Sequence, residues 1–318
     1  MKKFLVWAIV LGGVGYFGAK LYMHNKVSDA MDTAVMLMSP YASIQYNGVA
    51  STMTGELTVE DVTFRVQGFR DEVYIDSIGI DTPSFLSLLE LSDLVEMEGD
   101  SLPEHIAFIV EGLRIPADAD YYKTMYEATL EEHQATDATD AAAECTGKYG
   151  FSPAALAGLG YTDQVFSMSM AVRDLGSSYS LAVTVNMEDM WDIDANIGLA
   201  GNMMTEMSKG IQYRPKLQQM SLDFIDRSLN ERVRKYCGKR GLTPEETIKA
   251  QMDAFKYSGE FNGIVFDEFM LDPYLEFLDG KSTLTVTARP SEPIAFSQID
   301  LYAPADVPAL LNLEATAH

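Results

Sequence analysis

From Ile44 onward, apolar residues fall at every second position. That spacing puts one face of a strand against a core. In the stretch Gly55-Glu-Leu-Thr-Val-Glu-Asp-Val-Thr-Phe64 the alternation runs through Leu57 and Val59, slips by one, and resumes at Val62 and Phe64. The same slip recurs at Val73/Ile75 then Ile78/Ile80, at Phe108/Val110 then Leu113/Ile115, and at Ile294/Phe296 then Ile299/Leu301. An unbroken strand cannot hold both pairs on one face. A β-bulge at each slip restores the face and bends the strand. The pattern therefore predicts a strongly curved sheet. Residues 166–172, 181–187, 191–199, 220–224 and 284–288 read as regular strands.

Helical periods punctuate these strands. A linking helix is expected over 27–38. Thr82-Pro83 opens a helix over 84–94, with threonine as cap and proline in the first turn. Asp118 or Asp120 opens a long helix through Tyr122, Met125 and Leu130, continued by acids and alanines to Glu144 with a break at 136–139. A third helix is expected over 202–211. Ser228 with Glu231, and Thr243 with Glu246, have capping-box spacing. Asp272-Pro273 reads as the start of a short helix.

Laid out in order, the elements repeat. Helix, strand, helix, Cys145 and a Ser-Pro helix form one unit; helix, strand, helix, Cys237 and a Thr-Pro helix form the next. A third unit stops early. The expected fold is α+β: an N-terminal transmembrane helix, then tandem repeats of curved antiparallel sheet with helices on one face. The expected divisions are an anchor over 1–26, a first α+β unit over 27–160, and a second over 161–318 with a partial third repeat.

The N-terminus carries the membrane expectation. Met1-Lys2-Lys3 precedes an uncharged run from Phe4 to Ala19. Lys20 can snorkel, so the span runs from Phe4 to Tyr22. A cleaved signal peptide is the competing reading, but Phe17 is bulky for the position before a cut at Ala19. An uncleaved signal-anchor fits better, with the bulk of the chain in the periplasm of a bacterial inner-membrane protein. Ala8, Gly12, Gly15 and Ala19 share one helix face; a second membrane helix could approach there, although glycine is common in spans anyway.

Charge narrows the partners. The chain has 318 residues and a net charge of −24. It repels phosphate backbones, which excludes nucleic acid as a partner. No Walker or Rossmann phosphate loop is present, and no Gly-x-Ser-x-Gly elbow. The scattered histidines have no metal-ligand spacing. No cofactor, no metal and no enzyme activity are expected.

The two cysteines, Cys145 and Cys237, end equivalent helices before glycine turns. In an oxidising compartment they are expected to pair, closing a long loop worth up to ~4–5 kcal/mol. Met168, Met170, Met187, Met190, Met203, Met204 and Met207 have spacings that suit a soft metal. Apolar strand faces and one helix turn account for the same spacings as core or an adaptable apolar cavity, and this is the expected outcome. Arg232, Arg234, Lys235, Lys239 and Arg240 form a dense basic cluster in an acidic chain. It reads either as a site for a lipid head group or acidic partner, or as helix-end cations answering the last carbonyls. Phe64, Ile75, Phe108, Val110, Met168, Met170, Val183, Phe224 and Phe296 are expected to line an apolar ligand face or the core.

The stretch Gly55–Phe64 quoted above, Val73-Tyr-Ile-Asp-Ser-Ile-Gly-Ile80 and Ser84-Phe-Leu-Ser-Leu-Leu89 resemble the opening of AsmA/TamB-like bacterial envelope proteins. The resemblance covers about residues 44–91. It implies a membrane helix followed by a curved sheet with an apolar groove, implicated in phospholipid transport. It carries over no catalytic residue. The expectation is thus a membrane-anchored, non-enzymatic periplasmic protein that binds lipid or another apolar ligand on curved sheets. The alternative is a scaffold or interaction subunit of a cell-envelope complex.

Overall fold

A computed structural model of the chain describes residues 20–29, 31–33, 35–89, 103–133, 140–201, 215–261, 263–299 and 301–318. Its frame is one curved antiparallel sheet of twelve strands. Strands β1 (Ala42–Gln45) and β2 (Gly48–Ser51) pair with the two halves of β3 (Glu56–Val66). From β3 the chain meanders through β4 (Val73–Asp81), β5 (His105–Pro116), β6 (Asp163–Asp174), β7 (Ser178–Met187), β8 (Trp191–Ala200), β9 (Lys216–Asp226) and β10 (Thr283–Ala288). Two-residue β11 (Ile294–Ala295) adds to the end of β9, and β12 (Leu313–Ala317) pairs with β10. The expected regular strands are all present, with longer ends. Because β5 pairs with β6, the sheet passes unbroken across residue 160.

One face of this sheet is apolar from edge to edge. Leu57, Ile80, Phe108, Met170, Val183, Ala195, Leu222, Val286 and Ala315 stand opposite one another from β3 to β12. The next row is Val59, Ile78, Val110, Met168, Val185, Ile193, Phe224, Leu284 and Ala317. On the opposite face the intervening row reads Thr58, Gly79, Ile109, Ser169, Thr184, Asp194, Asp223, Thr285 and Thr316. Period-two alternation thus sorts nearly all apolar bulk to one side.

The phase slips line up as a single crease. Leu57, Val59 and Val62 are all buried, while Glu60 and Asp61 between them are both exposed. In β3 and β4 no register shift results, contrary to the bulges expected there: Glu60 faces Ser77 and Val62 faces Ile75. Each strand carries its extra residue, Asp61 or Asp76, at the same height, so neighbours stay matched. The shift appears one strand later, where β5 moves against β6 between Val110 and Leu113. Gly112 makes this possible. Its φ is +62°, and a Cβ there would sit 2.0 Å from the Asp76 carboxylate. Arg114 pairs with Asp76 at 2.8 Å, and Asn47 donates to Asp61 at 3.0 Å, tying the crease across strands.

Two long connections leave the sheet and return to the adjacent strand. Between β5 and β6 lie α1 (Asp120–Glu132), α2 (Ala141–Thr146) and α3 (Pro153–Leu159). Between β9 and β10 lie α4 (Leu229–Gly238), α5 (Pro244–Phe261) and α6 (Glu268–Leu278). Both arches pack on the apolar face. Met187, Phe166 and Trp191 meet α2, α3 and α4 in one cluster; Leu284 and Phe224 meet α5 and α6 in another. At the first edge, Met23 packs with Leu57, Phe85 and Leu88. At the far edge, α8 (Val307–Leu311) brings Leu311 against Leu217 and Ala288.

Local chemistry explains where helices start. Ser152 accepts from the Ala155 N–H at 3.0 Å, Pro153 fits the first turn of α3, and Gly160 ends it at φ +90°. Thr243 and Glu246 form the expected reciprocal box, at 2.8 and 3.2 Å. The box at Ser228 does not form. Its hydroxyl donates to the Asp189 carbonyl, Glu231 pairs with Lys235, and Asp226 takes the capping role by accepting from the Asn230 N–H at 3.1 Å. Ser84, not Thr82, accepts from the first turn of the helix over 85–89, through the Ser87 N–H at 3.2 Å.

Two further expectations change. Residues 294–301 are not a slipped strand: Phe296–Ile299 is a helical turn, α7, closed by the Gln298 side chain accepting from the Ala295 N–H. Leu301 consequently stands 82% exposed. Asp272-Pro273 lies inside α6 rather than at its start. Burial of Met270, Phe277 and Leu278, with Tyr274 packed beside them, carries the helix through the proline.

The expected span from Phe4 lies outside the described residues up to position 19, as does the helix over 202–211. Among the described residues no helix is long and apolar enough to cross a membrane. Lys20 does not simply extend outward: its ammonium donates to the Ser51 carbonyl at 3.0 Å, and Met23 is buried against the sheet.

Candidate functional site

The disulfide joins the two helical arches. Cys145 is the second-last residue of α2 and Cys237 the second-last of α4; their sulfurs are bonded, with Cα atoms 5.3 Å apart. Both are fully buried, beside Leu156, Val233 and Tyr236. Each helix is stopped just after its cysteine. Gly147 has φ +67°, and any Cβ there would press on the Phe151 ring at 2.9 Å. The element order anticipated this pairing, and the structure contains it.

Between the arches, over the sheet, lies a cavity of about 840 Å³. Phe224 of β9 and Leu284 of β10 form its sheet side. The turn from Gly147 to Phe151, Asn230 and Val233 of α4, and Ala254 and Phe255 of α5 form walls. Tyr274 and Phe277 of α6 complete them.

Aromatic stacking holds two of these walls. On one, Phe255 stacks on Phe266 at 4.3 Å and on Tyr274 at 4.1 Å; Phe277 meets Phe224 edge-on at 5.6 Å. On the other, His133 lies 3.9 Å from Phe261 and shares a 2.9 Å hydrogen bond with the Tyr257 hydroxyl. Tyr149 meets Tyr257 edge-on at 5.4 Å. The Lys148 ammonium sits 5.0 Å over Tyr149 and 4.9 Å over Tyr257, a cation–π arrangement. Such pairs fix ring positions beyond what area burial alone does.

Polar side chains share the lining with these rings, among them Glu132, His133, Lys148, Asn230 and Gln251. Burial pushes the Tyr274 phenol up to about 12, so it stays a neutral hydroxyl at ordinary pH. Asn230 is only 7% exposed and Gln251 9%. The Gln251 amide donates to Asn230 Oδ1 at 3.4 Å. Asn230 Nδ2 is buried with no hydrogen-bond partner. A smaller charged hollow, about 420 Å³, shares Thr146, Lys148 and Tyr257 with the cavity and adds Asp140, Asp253, Lys256 and Glu260.

Of the residues expected to line an apolar face, Phe224 alone lines the cavity. Val110, Met168, Val185, Ile193 and Phe224 stand in one cross-strand row, so the cavity's sheet side continues toward β5. Phe108, Met168 and Met170 on that stretch are 37%, 38% and 43% exposed in the described structure, so the two methionines are not core. Val183 and Ile75 are half-buried, as is Phe64 near the first edge. Phe296 lies on α7, away from the cavity. Met187 and Met190 are core; Met203, Met204 and Met207 lie outside the described residues.

The basic cluster is largely engaged within the chain. Arg232 donates to the Leu159 and Gly160 carbonyls at 3.3 Å and sits 4.4 Å over the Tyr161 ring. Arg240 pairs with Glu144 at 3.1 Å across the disulfide joint and covers Tyr236 at 3.8 Å. Lys235 pairs with Glu231. Arg234 is half-buried and Lys239 exposed. Two of these five cations, Arg232 and Arg240, thus tie the α4 region to α3 and α2.

Sequence periodicity missed the cavity because its lining comes from seven helices and strands, α1, α2, α4, α5, α6, β9 and β10, and the turn at 147–151. The signal that was present is local: Asn230 and Gln251 are amides on the buried stripes of their helices, and Phe255, Tyr257 and Phe261 crowd the end of α5.

A comparison with curated proteins finds no match. A family model described as "Uncharacterized protein" matches residues 155–318. The matched region runs from α3 to the last strand and includes Cys237, Asn230 and the α5 and α6 walls, but not Cys145 or the turn at Gly147. With over half of its 318 residues matched, the chain belongs to this family of uncharacterized proteins.

Proposed function

We propose that the protein is a non-enzymatic binding protein that holds a lipid or another apolar molecule between its helical arches. The observation that carries this reading is the aromatic-walled cavity of about 840 Å³ over Phe224 and Leu284. Its size lies within the ~300–1,000 Å³ typical of small-molecule sites. The exposed apolar stretch through Phe108, Met168 and Met170 offers a path for a longer ligand along the same sheet face. The resemblance of residues 44–91 to AsmA/TamB-like proteins points the same way.

The same proposal places the body in the bacterial periplasm, anchored to the inner membrane through Phe4 to Tyr22. The disulfide supports an oxidising compartment. The docking of Lys20 on Ser51 would hold the first sheet edge close to the membrane surface.

The test is native mass spectrometry of the full chain, delipidated and then incubated with lipid vesicles. The expected result is a stoichiometric lipid adduct that survives gentle activation. Absence of any adduct, together with no binding of an environment-sensitive apolar fluorophore, would contradict the proposal.

A further inference from the structure

Four large apolar side chains stand exposed at one corner of the sheet. Leu21, Tyr22, Met53 and Leu86 are each between 55% and 70% exposed. Single exposed apolar residues are ordinary, but a group of them in one place marks a contact surface. The fold holds these four together. The first turn of the helix over 20–29 is fastened to the end of β2: the Lys20 ammonium donates to the Ser51 carbonyl at 3.0 Å, and His24 shares a 3.0 Å hydrogen bond with the Ser51 hydroxyl. Met53 lies two residues further on, in the turn from β2 to β3. Leu86 is on the helix over 85–89, whose Phe85 and Leu88 pack with Met23 and Leu57. This helix starts against the same turn: the Thr82 hydroxyl donates to the Gly55 carbonyl at 3.0 Å, and a Cβ on Gly55 would sit 2.7 Å from the Ser84 nitrogen. Met23 and Val27 form the packed stripe of the helix over 20–29. Leu21 and Tyr22 lie off that stripe, where polar residues are the rule.

Resting on the proposed anchor at Phe4 to Tyr22, we infer that this corner is a second membrane contact, in which Leu21, Tyr22, Met53 and Leu86 insert into the boundary between lipid headgroups and acyl chains. The uncharged run from Phe4 ends at Ala19, directly before Lys20. Because Lys20 is fastened to the end of β2, a chain that crosses the bilayer up to this point delivers the corner to its surface. Tyr22 carries an apolar ring with a polar tip, the kind of side chain that settles at headgroup depth. Charge does not supply the attraction. Glu56 is exposed beside the turn and the chain as a whole carries −24, so the contact is with the apolar part of the lipid, not with anionic headgroups. The opposite end of the sheet stays clear of the bilayer. The eleven residues of β3, at ~3.3 Å each, put its far end about 35 Å away. There α1 begins, its Asp120 N–H donating to the Asp71 carboxylate in the turn from β3 to β4. Met125 of α1 is as exposed as Leu21, yet lies out of the membrane's reach.

The experiment reconstitutes the full chain into phosphatidylcholine vesicles in which some lipid carries a photoactivatable diazirine on an acyl chain. After irradiation, the labelled peptides are read by mass spectrometry. The expected result is label on the anchor peptide and on the peptides holding Met53 and Leu86, the latter roughly fivefold or more above the peptide holding Met125, since insertion of ~5–10 Å brings side chains to the acyl chains. Label confined to the anchor peptide overturns the inference and leaves the anchor standing. An unlabelled anchor peptide overturns both. Adding phosphatidylglycerol should leave the pattern unchanged; labelling at Met53 and Leu86 that appears only with this anionic lipid overturns the apolar contact. Met53→Asp alters an exposed turn position and should lower labelling at Leu86 about threefold with anchor labelling intact, because a charge resists entry into the boundary. Unchanged labelling at Leu86 in that variant shows a corner lying near the bilayer without inserting, and overturns the inference.

Discussion

Replacing both cysteines, Cys145→Ala with Cys237→Ala, removes a cross-link between positions 92 residues apart. In the loop-closure account, a loop of that length returns ~4.6 kcal/mol of chain entropy to the unfolded state at 25 °C. The loss should not be blunted by slack in the folded state, because both sulfurs are fully buried between Leu156, Val233 and Tyr236. Against a total stability of ~5–15 kcal/mol, this is a large fraction. The assay is urea unfolding followed by tryptophan fluorescence, since Trp191 packs against the same cluster. With a slope of ~3 kcal/mol per molar, the midpoint should fall by about 1.5 M. Native protein unfolded in the presence of reductant should follow the variant. Below the transition, reductant should act slowly, because the bond is reached only when the α2–α4 contact opens. A midpoint drop below about 0.5 M, or fast reduction of the folded protein, would refute the picture of a buried bond holding the two arches.

Two further outcomes follow from packing and charge. Gly158→Ala in α3 places a methyl 2.0 Å from the Tyr236 ring; overpacking should outweigh the helix-propensity gain and cost about 1–2 kcal/mol in urea unfolding, and a neutral result would deny the α3–α4 contact. Burial raises the Asp226 carboxyl above its ordinary value, against the pull of the Asn230 and Leu229 N–H groups. The stability tied to this group is therefore full below its unfolded value near 3.8 and is lost as pH rises through the raised folded value. Asp226→Asn keeps a capping side chain without the charge. It should raise the unfolding midpoint at pH 7 and leave it unchanged near pH 3; equal midpoint shifts at both pH values would contradict the sign.

Much of the frame was legible because it rests on local periodicity. The alternation at Leu57, Val59, Val62 and Phe64 correctly located a crease, since burial tracks side-chain phase. What the single strand could not tell was that Asp61, Asp76 and Gly112 carry their extra residues side by side, so that β3, β4 and β5 stay matched and the shift at this crease falls between β5 and β6. The Thr243 box was readable because both partners lie within one turn, whereas Ser228 lost its expected role to Asp189 and Tyr161, distant in sequence. The misread strand at 294–301 has apolar residues that satisfy two periods at once, and the Gln298 side chain decides between them. The cavity escaped notice for a related reason. Phe224, His133, Tyr149 and Phe277 converge only after the sheet has brought β5's arch beside β9's.

The central claim is that the space between the arches is a binding site rather than slack in the core. Ala254 of α5 lines that space, and Ala254→Trp would project an indole into it. Filling this space should leave the urea midpoint unchanged or higher. Titration of an apolar fluorophore into native and variant protein is the direct measurement. The account predicts at least a tenfold weaker affinity for the folded Ala254→Trp protein, and undiminished fluorophore binding by that variant would contradict it.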